Sequence, residues 1–311
     1  MVKDWPLRLL ALITGLVTSA CCSSLPKLPA KQRPFAIPAA SFDRVDEVFL
    51  DLHDDARDRD VPVKIYKPAT SGKLPIVIVS HGIGEDRDSY AYLGRELARH
   101  GFMSVHVTHA GTDRAMLKRG YLHLYRAVKD PKNWIARVVD VTFVLDQLAK
   151  RDDADTNRVA VVGHSAGAFT AFAVAGLTSR TDTPVCPGPS VCPTRDPRVK
   201  AIVAMSMPRL DGVVTNWDVP IPALNLTGTC DVSLIYRTFP RHRRIPFEQS
   251  HAKEQYLVTI DRVNHDMFSA VEDEHHPLFA ALTIAFLEDR SWFDEPGTAQ
   301  LLGTVVAVEN K

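Results

Sequence analysis

Three stretches of this chain, PIVIVS (75–80), RVAVVG (158–163) and VKAIVAM (199–205), are almost unbroken runs of Val, Ile and Ala. A strand with one wet face alternates apolar and polar residues. A run that is apolar on both sides needs cover on both faces, which is the condition of a parallel sheet sandwiched between helices. The intervening sequence supplies the helices. WIARVVDVTFVLDQLAK (134–150) carries apolar residues three and four apart and so presents one greasy stripe to a sheet. Read this way, strands are predicted at 45–50, 61–66, 75–80, 103–107, 158–163, 199–205, 222–227 and 255–260, with helices near 88–100, 133–150, 166–178 and 276–290. The expected fold class is α/β, a mostly parallel eight-stranded sheet with helices on both faces, in one domain over 42–290 followed by a tail at 291–311. The segment between the strands at 199–205 and 222–227 is too short for a large cap, leaving loops 83–90, 109–132, 180–198 and 231–250 to cover the sheet.

The first twenty residues follow another logic. Lys3 and Arg8 precede an apolar core, LLALITGLVTSA (9–20), which ends in small residues before Cys21. That is the layout of a secretory signal peptide, and the core is too short for a membrane span of about 20 residues. TSAC (18–21) is a loose lipobox with Cys21 as the candidate for acylation; Thr18 stands where such motifs usually carry Leu, so lipid anchoring and plain secretion stay open alternatives. Residues 21–41 read as a linker rich in Pro, Ala and Ser. An exported, periplasmic or extracellular chain suits its five cysteines: Cys186 and Cys192 could close a small ring, which would leave Cys230 unpaired and buried. Lys plus Arg (37) equals Asp plus Glu (37), so the overall charge implies no nucleic-acid partner. No Cys/His spacing suggests a metal, and no cofactor is expected.

The strand at 158–163 runs into GHSAG (163–167), where Ser165 has a glycine two residues to either side and a helix follows. A serine hydroxyl is a weak nucleophile until a base takes its proton, and G-x-S-x-G in a strand–turn–helix context is the elbow that lifts such a serine above a sheet. The partners should follow in the order acid, then histidine. IPALNLTGTCD (221–231) is a strand ending in Asp231, and QYLVTIDRVNHDMF (255–268) is a strand followed by His265. Asp211 and Asp218 also lie between serine and histidine and stay rivals for the acid; Asp261 and Asp266 read as loop charges, His164 as a packing residue, and His275 and His276 as helix-start residues. Two backbone N–H groups are needed for an oxyanion. Ala166 follows the nucleophile, and Ile83 follows the turn His81-Gly82 after the strand at 75–80.

With these motifs together the chain resembles the α/β-hydrolase superfamily over roughly 42–290. Within it, SHGIGEDRDSYAYLGRELARHGF (80–102), GHSAGAFTA (163–171), LTGTCD (226–231) and RRIPFEQS (243–250) resemble the bacterial dienelactone-hydrolase-like group related to platelet-activating-factor acetylhydrolases. The resemblance implies Ser165 as nucleophile, His265 as base, Asp231 as orienting acid, and Ile83 and Ala166 as oxyanion donors. Dienelactone hydrolases carry a cysteine where this chain has Ser165, so their substrate does not transfer. The eukaryotic acetylhydrolases place the acid after an earlier strand, which here ends in MSMP (205–208). The expected function is an exported serine esterase acting on a short-acyl or lipid-like ester. A cutinase- or polyester-type hydrolase is the enzymatic alternative, and a non-catalytic binding protein on the same fold is the alternative of another class.

Overall fold

A computed structural model describes residues 35, 39–179, 195–210, 212–234 and 237–311. The leader 1–20, Cys21, nearly all of the linker, the Cys186–Cys192 loop and Asp211 lie outside the described residues. The strands are β1 (Val45–Asp54), β2 (Arg59–Pro68), β3 (Leu74–Ser80), β4 (Met103–Val107), β5 (Ala154–His164), β6 (Thr178–Ser179), β7 (Val199–Met205), β8 (Val214–Asn216), β9 (Ala223–Cys230), β10 (Gln255–Asn264), β11 (Gly297–Leu301) and β12 (Thr304–Asn310). The main helices are α1 (Ala91–Arg99), α2 (Arg114–Lys118), α3 (Tyr121–Lys129), α4 (Pro131–Leu148), α5 (Ala166–Ala175), α6 (Pro240–Arg243), α7 (Ile245–Gln249) and α8 (His276–Glu288).

Ten strands form one sheet in the order β1-β2-β4-β3-β5-β7-β9-β10-β12-β11, while β6 and β8 pair apart from it. The block from β4 to β10 is parallel, as its Val/Ile runs require, and antiparallel pairs extend it at both edges. All eight predicted strands belong to it. The two extra strands come from the segment expected as a tail: β12 pairs with β10 from Tyr256↔Asn310 to Ile260↔Val306, so the domain's sheet extends through residues 297–310. β11 buries only Ala299 and Leu301, and β12 only the three residues Val306–Val308, so their apolar runs are short and give a weak signal.

The sheet has a core on each face. Trp134, Val138, Val141, Val144 and Leu148 of α4, with Phe169 and Phe172 of α5, pack on one side. Leu93 and Leu97 of α1, with Phe279, Leu282 and Phe286 of α8, pack on the other. All these side chains are buried, and α5 is buried along its whole length, as expected of the helix under the elbow. Among the described residues no helix is long and apolar enough to cross a membrane.

Candidate active site

The parallel strands all deliver their C-terminal ends to one edge, where open α/β sheets hold their sites. Ser165 stands there between β5 and α5 with φ 53° and ψ −116°, in the half of conformational space that L-residues avoid. The two flanking glycines interlock to allow this. A Cβ on Gly163 would overlap the carbonyl of Gly167, and one on Gly167 would overlap the carbonyl of Ser80 at the end of β3. Helix α5 is thus pressed directly against the loop after β3. The N–H groups of Ile83 and Ala166 sit on the two sides of that contact, and among the described residues neither donates a hydrogen bond.

Asp231 leaves the end of β9 fully buried, and His265 leaves the end of β10. The structure brings them together: His265 Nδ1 is 3.3 Å from Asp231 Oδ1. Two residues that the sequence reading did not single out complete the cluster. Ser206, one residue past β7 and also at positive φ (57°), donates from Oγ to Asp231 Oδ1 at 2.8 Å and lies 2.5 Å from His265 Nδ1. Arg243 of α6, fully buried, pairs through Nη2 with Asp231 Oδ1 at 2.9 Å and donates to the carbonyls of Ser206 and Met207. Thr227 Oγ1 donates to Asp231 Oδ2 at 2.9 Å. Burial alone would raise the Asp231 carboxyl, but the Arg243 charge, His265 and the Ser206 hydroxyl outweigh it and hold the group far below the usual range. Ser206 ends the strand in MSMP, so it stands where an acid is missing and bridges to the acid one strand over.

His164, expected to pack, also takes a polar role. Its Nε2 lies 3.1 Å from the carbonyl of His265 and its Nδ1 lies 2.8 Å from Tyr90 Oη, which in turn touches Glu85. Burial keeps the His164 ring well below its ordinary pKa and raises the Glu85 carboxyl. Glu85 also accepts from Gly82 N–H at 2.7 Å, fixing the loop that carries Ile83.

Behind that loop lies a second Ser-His-Asp row. Ser80 Oγ is 2.9 Å from His109 Nε2, and His109 Nδ1 is 3.0 Å from Asp140 Oδ2. All three are fully buried, and Asp140 is clasped by Arg59 at 2.8 and 2.9 Å, so the row is structural rather than reactive. Burial, aided by Arg137, lowers His109 to about 4. Arg137 links the row to the site: it donates to Ser80 Oγ, to the His81 carbonyl and to Thr170 Oγ1 on α5. The loop and the helix that carry the two candidate oxyanion donors are therefore tied to one guanidinium.

Of the two rivals for the acid, Asp211 lies outside the described residues and Asp218 is engaged elsewhere. Asp218 accepts from Ser250 Oγ and from the N–H groups of His251 and Ala252, far from His265's partners. Asp261 accepts from Thr229, His275 pairs with Asp273, and His276 stacks on Tyr92. Cys230, expected unpaired, is disulfide-bonded; its partner lies outside the described residues, so the sequence reading misjudged this thiol. Among the described residues no group of three His, Cys, Asp or Glu is placed to hold a metal ion.

The Chlorophyllase family model matches residues 42–185. Platelet-activating factor acetylhydrolase of Cavia porcellus is 27% identical over 149 residues, covering 35% of this chain and 34% of that protein, so the match spans about a third of the relative's length. A Klebsiella pneumoniae protein assigned as a dienelactone hydrolase superposes with a TM-score of 0.54 at 16% identity, over 79% of this chain and 98% of that one. At that identity the superposition speaks for the fold alone. The fold and the two sequence matches make the chain similar to α/β-hydrolases of the serine-esterase-like group.

Proposed function

We propose that the protein is an exported carboxylic ester hydrolase that works through an acyl-enzyme on Ser165. The observation that carries this reading is the strained Ser165 backbone, a conformation that costs free energy and has a use only if the hydroxyl must be presented. In the proposed cycle Ser165 Oγ attacks the acyl carbon while His265 Nε2 takes its proton. The carbonyl oxygen becomes an oxyanion that accepts hydrogen bonds from Ile83 and Ala166 N–H. His265 then gives the proton to the departing alkoxide, and the C–O bond breaks. A water, deprotonated by the same nitrogen, attacks the acyl-enzyme and releases the acid and the free serine.

For Nε2 to act as base, the ring proton must sit on Nδ1. Two acceptors near Nδ1 support this: the Ser206 hydroxyl at 2.5 Å, whose own O–H donates to Asp231, and the Asp231 carboxylate at 3.3 Å. Arg243 Nη2, a donor only, lies 3.0 Å from the same nitrogen, and for the ring to carry its proton there that N–H must go to Asp231 Oδ1, 2.9 Å away. A disulfide at Cys230 suits an oxidising compartment and thus supports export. The lipid-like or short-acyl ester remains the preferred substrate class, because among the described residues the cover over the site consists of short elements rather than a cap domain.

Ser165→Ala should abolish turnover of p-nitrophenyl esters by about 10⁴–10⁶ while leaving the melting curve unchanged, and should end labelling by a fluorophosphonate. Normal labelling of the variant would assign the nucleophile elsewhere.

A further inference from the structure

The segment 114–132 departs from the neutral balance of the rest of the chain: it holds six Lys and Arg residues against one acidic residue, Asp130. Helices α2 and α3 fill most of it. Leu124, Ala127 and Val128, at i, i+3 and i+4, form the buried stripe of α3. Its other side is exposed, and there Leu122 and Tyr125 are 56% and 44% accessible, among the few large apolar side chains left on the surface. Arg126 and Lys129 share that side, with Lys129 Nζ 5.7 Å from the Tyr125 ring, and Lys118 and Arg119 of the preceding turn are exposed beside it.

This patch adjoins the mouth of the site. Arg114 N–H donates to the Glu85 carbonyl at 3.0 Å, Gly84 N–H donates to the Thr112 carbonyl at 2.8 Å, and Leu117 packs over Gly84. Helix α2 is therefore seated on the loop that carries Ile83.

We infer that α2 and α3 form a docking surface for an anionic lipid layer. The charge is complementary to anionic headgroups, which attract Lys and Arg by about 1 kcal/mol each, or roughly fivefold in partitioning. The exposed Leu and Tyr distinguish a lipid boundary from a purely polyanionic partner: interfacial helices combine a cationic rim with apolar residues that enter the acyl boundary. Aliphatic stems of Arg126 and Lys129 can lie along the apolar pair while their heads reach phosphate. Docking in this orientation would bring the site's edge of the sheet to the membrane, so esters embedded there become its substrates; that consequence, though not the docking, rests on the esterase reading.

The test uses the full chain and sedimentation with vesicles of phosphatidylcholine, with or without one quarter phosphatidylglycerol, at low salt. The chain should sediment more strongly with the anionic vesicles than with the zwitterionic ones. An acyl chain on Cys21 would partition into both alike, so the difference between them reads the surface. Arg119→Glu/Arg126→Glu should lower partitioning into anionic vesicles by at least about tenfold. Leu122→Ser/Tyr125→Ser should lower it comparably at unchanged charge. Both variants should hydrolyse a soluble p-nitrophenyl ester at the normal rate, which separates loss of docking from loss of the active site. Equal binding to both vesicle types, undiminished binding by the charge variant, displacement by single-stranded RNA with the apolar variant unaffected, or a change of oligomeric state on altering Leu122 and Tyr125 would each overturn the proposal.

Discussion

Replacing Ser206 isolates the least expected part of the site. Its hydroxyl lies 2.5 Å from His265 Nδ1, from which it accepts in the proposed tautomer, and donates to Asp231 across 2.8 Å. A hydrogen bond to a charged group is worth about 1.5–3 kcal/mol, and each 1.36 kcal/mol lost from transition-state stabilisation is tenfold in rate. Full loss would therefore lower kcat by roughly 10–150-fold. Nδ1 already lies 3.3 Å from Asp231 Oδ1, so the ring can close onto the carboxylate once the hydroxyl is gone, and the expected loss is near the lower end, about tenfold. KM should stay unchanged, since Ser206 is fully buried and cannot meet the substrate. Backbone effects need a control because φ at Ser206 is 57°. Alanine keeps the cost of that conformation, whereas glycine removes about 1 kcal/mol of it. Ser206→Ala and Ser206→Gly should therefore share one kcat while differing in Tm, with glycine the higher. Steady-state kinetics on a p-nitrophenyl ester beside thermal melts would read both quantities. A kcat within twofold of the parent, or a kcat that follows Tm across the two variants, refutes the bridging role.

Gly167→Ala should cost the fold as well as the activity, because the added methyl overlaps the Ser80 carbonyl and drives α5 off the loop; a soluble, active variant with a normal melt contradicts the close approach. Arg243→Leu leaves Asp231 buried without its cation and should cost about 3–5 kcal/mol, or roughly 10 °C in Tm, measured by calorimetry; a shift under 2 °C would mean that the pair is not held as described. Acid should unfold the protein in two stages. Burial lowers His106 and His109 to about 4 from 6.5, so each contributes stability that is complete above pH 6.5 and lost as pH falls toward 4, about 3 kcal/mol apiece. Asp140, held at about 2, adds a loss only below its unfolded value of 3.8. Urea midpoints at pH 8, 6 and 4.5 should fall steadily, and a flat profile to pH 4.5 would show these rings already charged in the fold.

The sheet was legible because its strands obey a strong rule: a run such as PIVIVS has nowhere to go but a covered sheet. The candidate site was legible where a residue must stand in a fixed local frame, as Ser165 does between its glycines. Asp231 and His265 could be read from strand ends and order. Ser206 and Arg243 could not, since a buried serine after a strand and an arginine in a short helix carry no periodic or spacing signal; only the crossing of β7, β9 and α6 makes them partners. The same limit hid Ser80, His109 and Asp140, whose residue types imitate a reactive triad and whose complete burial denies it. Cys230 failed for a related reason, because pairing depends on distances that spacing along the chain does not encode. Helices α2 and α3 read as loop from the sequence, because α2 is a five-residue turn and α3 buries only the one short stripe of Leu124, Ala127 and Val128.

The placement of β12 bears on how the enzyme is born. Strand β10, which carries His265 at its end, has β9 on one side and β12 on the other. Residues 304–310 follow β9 and β10 in the chain, so until they are in place β10 is a bare sheet edge with unpaired amides, and the histidine hangs from its end. The chain can thus hold its serine elbow early, yet the residue proposed to activate that serine is secured only when β12 pairs. The candidate site is in this way assembled in an order that fixes its histidine after its serine.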